Sequence, residues 1–311
     1  MGSSLTMTSD TLTPFYLGKA QVRGKLVRLS DQFDHIIKSH SYPSIVNHYL
    51  SELIAIGIVL SINTKNNGLF TLQITNGKIL KMMVVDITSE GEIRACAKWD
   101  NEALEKLLME TNNAPGLTQL FENAFLVFTA DLDSQVEKYQ AIVELSGSTL
   151  SDCMHHFFRQ SDQLATGLVV VTKSDYSLDG YSAAALILQK LPSSSEQTET
   201  ENEQDEDDWI TNLSLLGTIT KKELLDQNLS ADNLLYRLFH EREVHVLPSK
   251  NIVAKCYCSR PRIEQILVSF SEEDIKDMIL DNQISVTCEF CNETYLFNDS
   301  QINEILEEKK R

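Results

Sequence analysis

Cys256-Tyr257-Cys258 is followed by 29 residues and then by Cys288-Glu289-Phe290-Cys291. Two close pairs of thiols in one tail suit a tetrahedral Zn²⁺ site, because zinc is borderline-soft and accepts four sulfurs without geometric penalty. The intervening segment is competent to fold. Ser271-Glu272-Glu273-Asp274 can cap a helix running to about Leu280, with Ile275, Met278 and Ile279 on one face. Ile284–Thr287 reads as a strand delivering Cys288, and Thr294–Phe297 as the strand that leaves the site. A domain of about 50 residues has a core too small to fold securely alone. A structural zinc, with a binding free energy on the order of 10–16 kcal/mol, supplies the difference.

The first pair has a single intervening residue, where most zinc knuckles have about two to four. It holds two sulfurs close, so loss of the metal leaves them poised to oxidise. Oxidants attack thiolates, and a domain whose fold depends on zinc comes apart when zinc leaves.

Outward from the tail, the chain changes character twice. Trp209, Ile210, Leu213 and Leu216 recur at helical spacing, and so do Leu234, Leu235, Leu238 and Phe239. Between them Thr220-Lys221-Lys222-Glu223 is a capping-box pattern. These short amphipathic helices pack on a neighbouring domain, or pack conditionally and can be exposed. Before them, residues 193–208 carry eight acidic side chains and no basic one. They hold nearly half of the chain's net charge of −18. Such a run is expected to be solvated and mobile, a linker that closes the first domain after Leu191-Pro192.

The remainder reads as mixed helix and strand. Pro43 opens a helix that is apolar nearly all round to Leu60, hence buried. Phe70, Leu72 and Ile74 alternate with polar residues, Asn76-Gly77 is a hairpin signal, and Lys78–Ile87 resumes as strand. Further strands are expected at Ile93–Ala97, Ala124–Ala130, Val136–Leu145, Leu168–Thr172 and Ala183–Leu191. Helices are expected at Ser30–Lys38, Asn101–Met109 and Leu150–Arg159. The irregular order with hairpins favours α+β over a doubly wound sheet. The domains are therefore placed at 10–192 (an α+β core), 193–248 (acidic insert and helical linker) and 249–311 (a small zinc-binding α+β domain).

Several function classes are disfavoured. From Asn251 to Arg311 there are seven Lys/Arg and twelve Asp/Glu, the wrong sign for a phosphate binder, so no nucleic-acid partner is expected. The longest apolar run, Leu53–Leu60, has eight residues against about 20 needed to span a bilayer, so no membrane partner is expected. Met1–Ser9 lack the cationic start and apolar stretch of a secretory signal, so a reducing cytosol is the expected compartment. No phosphate loop, nucleophile elbow or metalloprotease helix is present, and no enzyme is expected. Cys96 and Cys153 read as ordinary buried thiols, and His155-His156 as structural. Two rivals stay open: a thiol-disulfide oxidoreductase using Cys288 and Cys291, and an interaction protein with a purely structural zinc.

The arrangement resembles the bacterial heat-shock protein 33 family, the redox-regulated holdase chaperones. The most specific stretches are Cys256-Tyr257-Cys258-Ser259-Arg260 and Val286–Phe297; Val22-Arg23-Gly24, Tyr42-Pro43, Gln160–Gln163 and Leu235–Glu241 support them. Three departures stand out: Asp162 for the more usual Glu, Tyr181-Ser182 for a glycine pair, and the long acidic insert. The resemblance implies that Cys256, Cys258, Cys288 and Cys291 bind one Zn²⁺ in a reduced, inactive protein. It implies that oxidation joins Cys256 to Cys258 and Cys288 to Cys291, releases zinc and unfolds the tail and linker. Trp209, Leu213, Leu216, Leu234, Leu235, Leu238 and Phe239 are then the candidate client-binding residues. Holding without ATP, a homodimer when oxidised, hand-off to ATP-dependent chaperones and a bacterial cytosolic location follow from the same resemblance.

Overall fold

The computed structural model describes residues 10–18, 22–61, 68–111, 114–131, 139–160, 165–173, 180–191 and 199–308. They form two compact units, Met1–Ala254 and Lys255–Arg311. The class is α+β, as the order of elements in the sequence indicates.

The first unit opens with β1 (Thr11–Leu17), β2 (Val22–Leu29), α1 (Asp31–Lys38) and α2 (Ser44–Leu60). Next come β3 (Leu69–Thr75), β4 (Leu80–Thr88), β5 (Glu92–Trp99), α3 (Asn101–Glu110), α4 (Leu117–Leu120), β6 (Phe125–Asp131) and β7 (Tyr139–Glu144). Then follow α5 (Leu150–Gln160), β8 (Thr166–Lys173), β9 (Ser182–Lys190), α6 (Glu199–Gly217), α7 (Lys221–Leu225) and α8 (Ala231–Phe239). Three short strands close the unit: β10 (Val244–Val246), β11 (Lys250–Asn251) and β12 (Val253–Ala254). One sheet runs β10-β1-β2-β9-β8 with β11 also on β1, and the other runs β12-β5-β4-β3-β6-β7.

Helix α2 packs against strands of both sheets, which is why its sequence is apolar on every side. Pro43 is its N-cap and not its first helical residue. The first sheet alternates strictly. Val27, Leu29, Ala183, Ala185 and Ile187 face α2 and the second sheet. Leu26, Ala184, Leu186 and Leu188 face the other way, onto α6, α7 and α8. Period-2 alternation thus gives this sheet two buried faces, with the helices after β9 covering the second.

Four further stretches of this unit depart from the sequence expectations or fall in part outside the described residues. Strands β1 and β2 were not foreseen, because Pro14 interrupts the first. Its carbonyl accepts from the Leu247 N–H, so its missing donor faces residues 247–249, where β10 and β11 leave the ladder open. At Asn76-Gly77 only Asn76 has positive φ, 62°, so the connection is not the two-residue turn expected. Gly77 is there for closeness, since a Cβ would lie 2.0 Å from the Leu80 carbonyl oxygen. The start of the expected strand Val136–Leu145 lies outside the described residues.

The fourth concerns the acidic run. Ser193–Thr198 are outside the described residues, but Glu199–Asp208 are the first half of α6 and not an unstructured linker. Carboxylates at a helix N-terminus sit at the positive end of its dipole. Glu206 pairs with Lys190 at 2.8 Å and Asp208 with Arg242 at 2.5 Å, while Trp209 and Leu216 anchor the second half in the core.

The second unit contains α9 (Arg260–Ser269), α10 (Glu272–Asp277), the hairpin β13 (Gln283–Thr287) and β14 (Thr294–Asn298), and α11 (Asp299–Glu308). Helix α10 has the expected Ser271–Asp274 capping box but ends before Leu280. Asp281 and Asn282 both take positive φ, 50° and 60°, and turn the chain into β13. The buried core is small: Ile263, Leu267, Ile275, Ile284, Phe297, Ile302 and Ile305.

Candidate functional site

Cys256 and Cys258 lie in the extended segment that enters α9, whose N-cap is Ser259. Cys288 and Cys291 occupy the β13–β14 turn. The Cys288 N–H donates to the Glu293 carbonyl and the Asn292 N–H to the Cys288 carbonyl, both at 2.8 Å, with Asn292 at φ 61°. This pair is in a hairpin turn, not at the start of a helix as a thioredoxin-like oxidoreductase requires.

The four sulfurs lie within 4.8 Å of one another. Two separations that cross between the pairs are 3.7 Å for Cys256–Cys288 and 3.3 Å for Cys258–Cys291. A tetrahedron with metal–sulfur bonds of about 2.3 Å has edges of about 3.8 Å, so the set fits a four-thiolate metal ion. Among the described residues it is the single cluster of His, Cys, Asp and Glu side chains able to hold one. The Tyr295 hydroxyl donates to Cys258 Sγ at 3.2 Å. Burial pushes the Cys291 thiol up, a cost that a cation bound at the cluster would offset. Arg260 ties the two halves of the unit: its guanidinium donates to the Leu296 carbonyl at 2.7 Å and lies 4.6 Å over the Phe297 ring.

Cys96 and Cys153 are both buried in the first unit. Burial, with the Asp152 carboxylate next to it, pushes the Cys153 thiol up to about 12 and leaves it unreactive. His155 and His156 join no metal-type cluster among the described residues.

The apolar stripes are packed away. Trp209, Leu216, Leu234, Leu235 and Phe239 are buried, and Leu213 and Leu238 partly so, all against the outer face of the first sheet. Two glycines make this possible. A Cβ on Gly167 would lie 2.4 Å from Leu213 Cδ2, and one on Gly24 would lie 2.1 Å from Phe15 Cζ. The Phe15 ring, lying over Gly24, stacks on Phe239 at 5.9 Å. Arg28, pointing out of the same sheet, donates to the Glu223 carbonyl at 3.0 Å and to the Leu229 carbonyl. A lone basic residue within a strand gives no sequence signal, and neither the Arg28 clamp nor the Tyr295 hydrogen bond was foreseen.

One polar group weakens the docking. Asn212 is completely buried under α6, and neither atom of its amide has a hydrogen-bond partner among the described residues. An unpaired buried amide costs about 1–3 kcal/mol. Asn212→Leu is therefore expected to raise the stability of the first unit by about that amount, read as a higher denaturation midpoint at unchanged slope. A lower midpoint contradicts the unpaired assignment.

Fold and site together define an α+β protein with a four-thiol metal-type centre in a separate small unit. The family model described as Hsp33 protein matches residues 10–298. The 33 kDa chaperonin of Pseudoalteromonas atlantica is 33% identical over 301 residues, 96% of each chain. That of Neisseria meningitidis serogroup A is 30% identical over 310 residues, 99% of this chain and 95% of its own. The crystal structure of the Thermotoga maritima 33 kDa chaperonin superposes with a TM-score of 0.78 at 16% identity, covering 97% of this chain and 99% of that one. The chain belongs to the Hsp33 family, a family of chaperones. Among the described residues no helix is long and apolar enough to cross a membrane.

Proposed function

We propose that the protein is a redox-controlled, ATP-independent holdase for unfolding proteins and not an enzyme. The observation that carries this reading is the pairing of a four-sulfur cluster with apolar helices docked on a separate sheet. In the reduced state Cys256, Cys258, Cys288 and Cys291 hold one Zn²⁺, which ties the entry to α9 to the β13–β14 turn. A peroxide oxidises each close pair. Two thiolates lose two electrons to form an S–S bond, and the peroxide, taking up two protons, leaves as two waters. With Cys256–Cys258 and Cys288–Cys291 joined, the sulfurs no longer serve as thiolate ligands, and the chain gives up its metal. The small unit then lacks the free energy that held it.

Cys256 is two residues beyond β12, the last strand of the first unit, so disorder in the tail reaches the returning segment β10–β12 directly along the chain. Release of that segment frees α6, α7 and α8. Trp209, Leu213, Leu216, Leu234, Leu235, Leu238 and Phe239 become the client surface. The acidic half of α6 keeps the opened protein soluble. In this reading the oxidised form is a homodimer, passes clients to ATP-dependent chaperones after reduction, and works in the bacterial cytosol.

The test uses reduced protein shown by metal analysis to hold about one zinc. Peroxide with mild heat is expected to release the zinc and to switch on suppression of client aggregation, both reversed by a thiol reductant. Equal protection by the reduced, zinc-bound form would overturn redox control. Unchanged zinc content in the Cys256→Ser/Cys288→Ser variant would overturn the ligand set.

A further inference from the structure

Helix α2 separates the two large sheets and stops at Leu60. Beyond its end the sheets enclose a cavity of about 520 Å³, within the range of about 300–1,000 Å³ found for small-molecule sites. One wall is aromatic. The rings of Phe128 and Phe157 stack at 4.4 Å, Phe158 packs edge-on to Phe157 at 5.2 Å, and Phe70 lies beside them. The other wall belongs to β2, where Lys25 and Arg23 point in on the same side of the strand. No aspartate or glutamate is among the described residues lining the cavity.

Among the described residues the two cations have only neutral hydrogen-bond partners. The Lys25 amine donates to the Ser61 carbonyl at 2.5 Å, and the Arg23 guanidinium to the Gln189 side-chain carbonyl at 3.2 Å. Burial, with Arg23 beside it, pushes the Lys25 amine down to about 8. An ammonium half-buried against apolar walls, with no counter-charge among the described lining residues, is poorly solvated, and a bound anion relieves that cost.

We propose that this cavity binds an amphipathic monocarboxylate of the medium-chain fatty-acid type, its carboxylate at Lys25 and Arg23 and its alkyl chain along Phe70, Phe128, Phe157 and Phe158. The site lies wholly in the first unit and none of its lining residues is a cysteine or belongs to α6, α7 or α8, though Phe15, which stacks on Phe239, and Leu247 of the returning segment also line it.

Titration calorimetry of decanoate into the reduced, zinc-loaded full chain tests it. About one decanoate per chain is expected, with decanol bound at least about tenfold more weakly and decyltrimethylammonium not at all. Lys25→Met is expected to lower decanoate affinity about tenfold or more while leaving decanol binding unchanged. Arg23 is exposed at the mouth, so Arg23→Gln keeps the fold and gives a smaller loss; it decides the matter if Lys25→Met does not fold. Equal binding of decanol and decanoate overturns the proposal. So does the absence of decanoate binding, or binding at many sites per chain that neither substitution alters.

Discussion

Stripping the metal from the reduced protein is expected to unfold residues 255–308 while leaving α2 and the strands β2–β9 around it folded. The inequality behind this is large. The second unit has a two-stranded sheet, short helices and a buried core of Ile263, Leu267, Ile275, Ile284, Phe297, Ile302 and Ile305. A core of that size rarely supplies more than about 3–5 kcal/mol. A structural zinc contributes on the order of 10–16 kcal/mol, so its removal exceeds everything else that holds the unit. Four thiols without a cation also have no common partner to hold them together, and the cluster loosens from within. Helix α2 has no such dependence, because it packs against strands of both large sheets, β2, β8 and β9 on one side and β3, β4 and β5 on the other. Hydrogen exchange after chelation checks this. Amides of α9, β13, β14 and α11 should lose protection, and those of α2, β3, β4 and β9 should keep theirs. Protection that persists in β13 and β14 would show that the metal is not what holds the tail.

The parts legible in the sequence were those whose reason is local. Cysteine spacing announced the sulfur cluster, because two tight pairs need only a hairpin and a helix entry to meet. The apolar run of α2 announced a buried helix. What escaped was set by partners far along the chain. Strand β1 breaks the rule against proline in a sheet, and the gap that tolerates Pro14 is made by residues 247–249. The acidic run looked unable to fold because its charge was counted without Lys190 and Arg242, or the apolar anchor that starts at Trp209. The cavity beyond α2 had no sequence signature, since its walls come from β2 and from α5, on opposite sides of the helix in the chain order. Pattern reading recovers a site when one motif carries it, and misses one assembled from single residues of many elements.

Arg28→Met is expected to make the reduced, zinc-bound protein hold clients without oxidation. Besides the exposed Lys190–Glu206 pair and the general apolar packing, three contacts stand out among those that fix the helices following β9 to the outer face of the first sheet. Phe15 stacks on Phe239, Leu213 and Leu216 close over Gly167, and Arg28 grips α7 and the turn before α8. The first two are apolar, and an exposed client chain offers the same kind of contact. The third is different, because it satisfies carbonyls of Glu223 and Leu229 that nothing apolar can satisfy. Burial holds the Arg28 guanidinium below its ordinary pKa, with Asp226 opposing that shift, and its Nε has no partner among the described residues. The clamp is therefore worth less than two ideal charged hydrogen bonds. Allowing for that cost leaves about 2–3 kcal/mol, a shift of roughly 30- to 140-fold toward released helices. The unpaired Asn212 amide already works against docking, so the clamp acts on a balance that is close. Light scattering of a thermally unfolding client should show suppression by reduced Arg28→Met at full zinc content, and limited proteolysis should cut first within residues 199–243. Combining it with Asn212→Leu should restore part of the resting behaviour, since the two changes act on the same docking equilibrium with opposite sign. A reduced Arg28→Met protein as inactive and as protease-resistant as the parent would mean that packing alone holds the helices down.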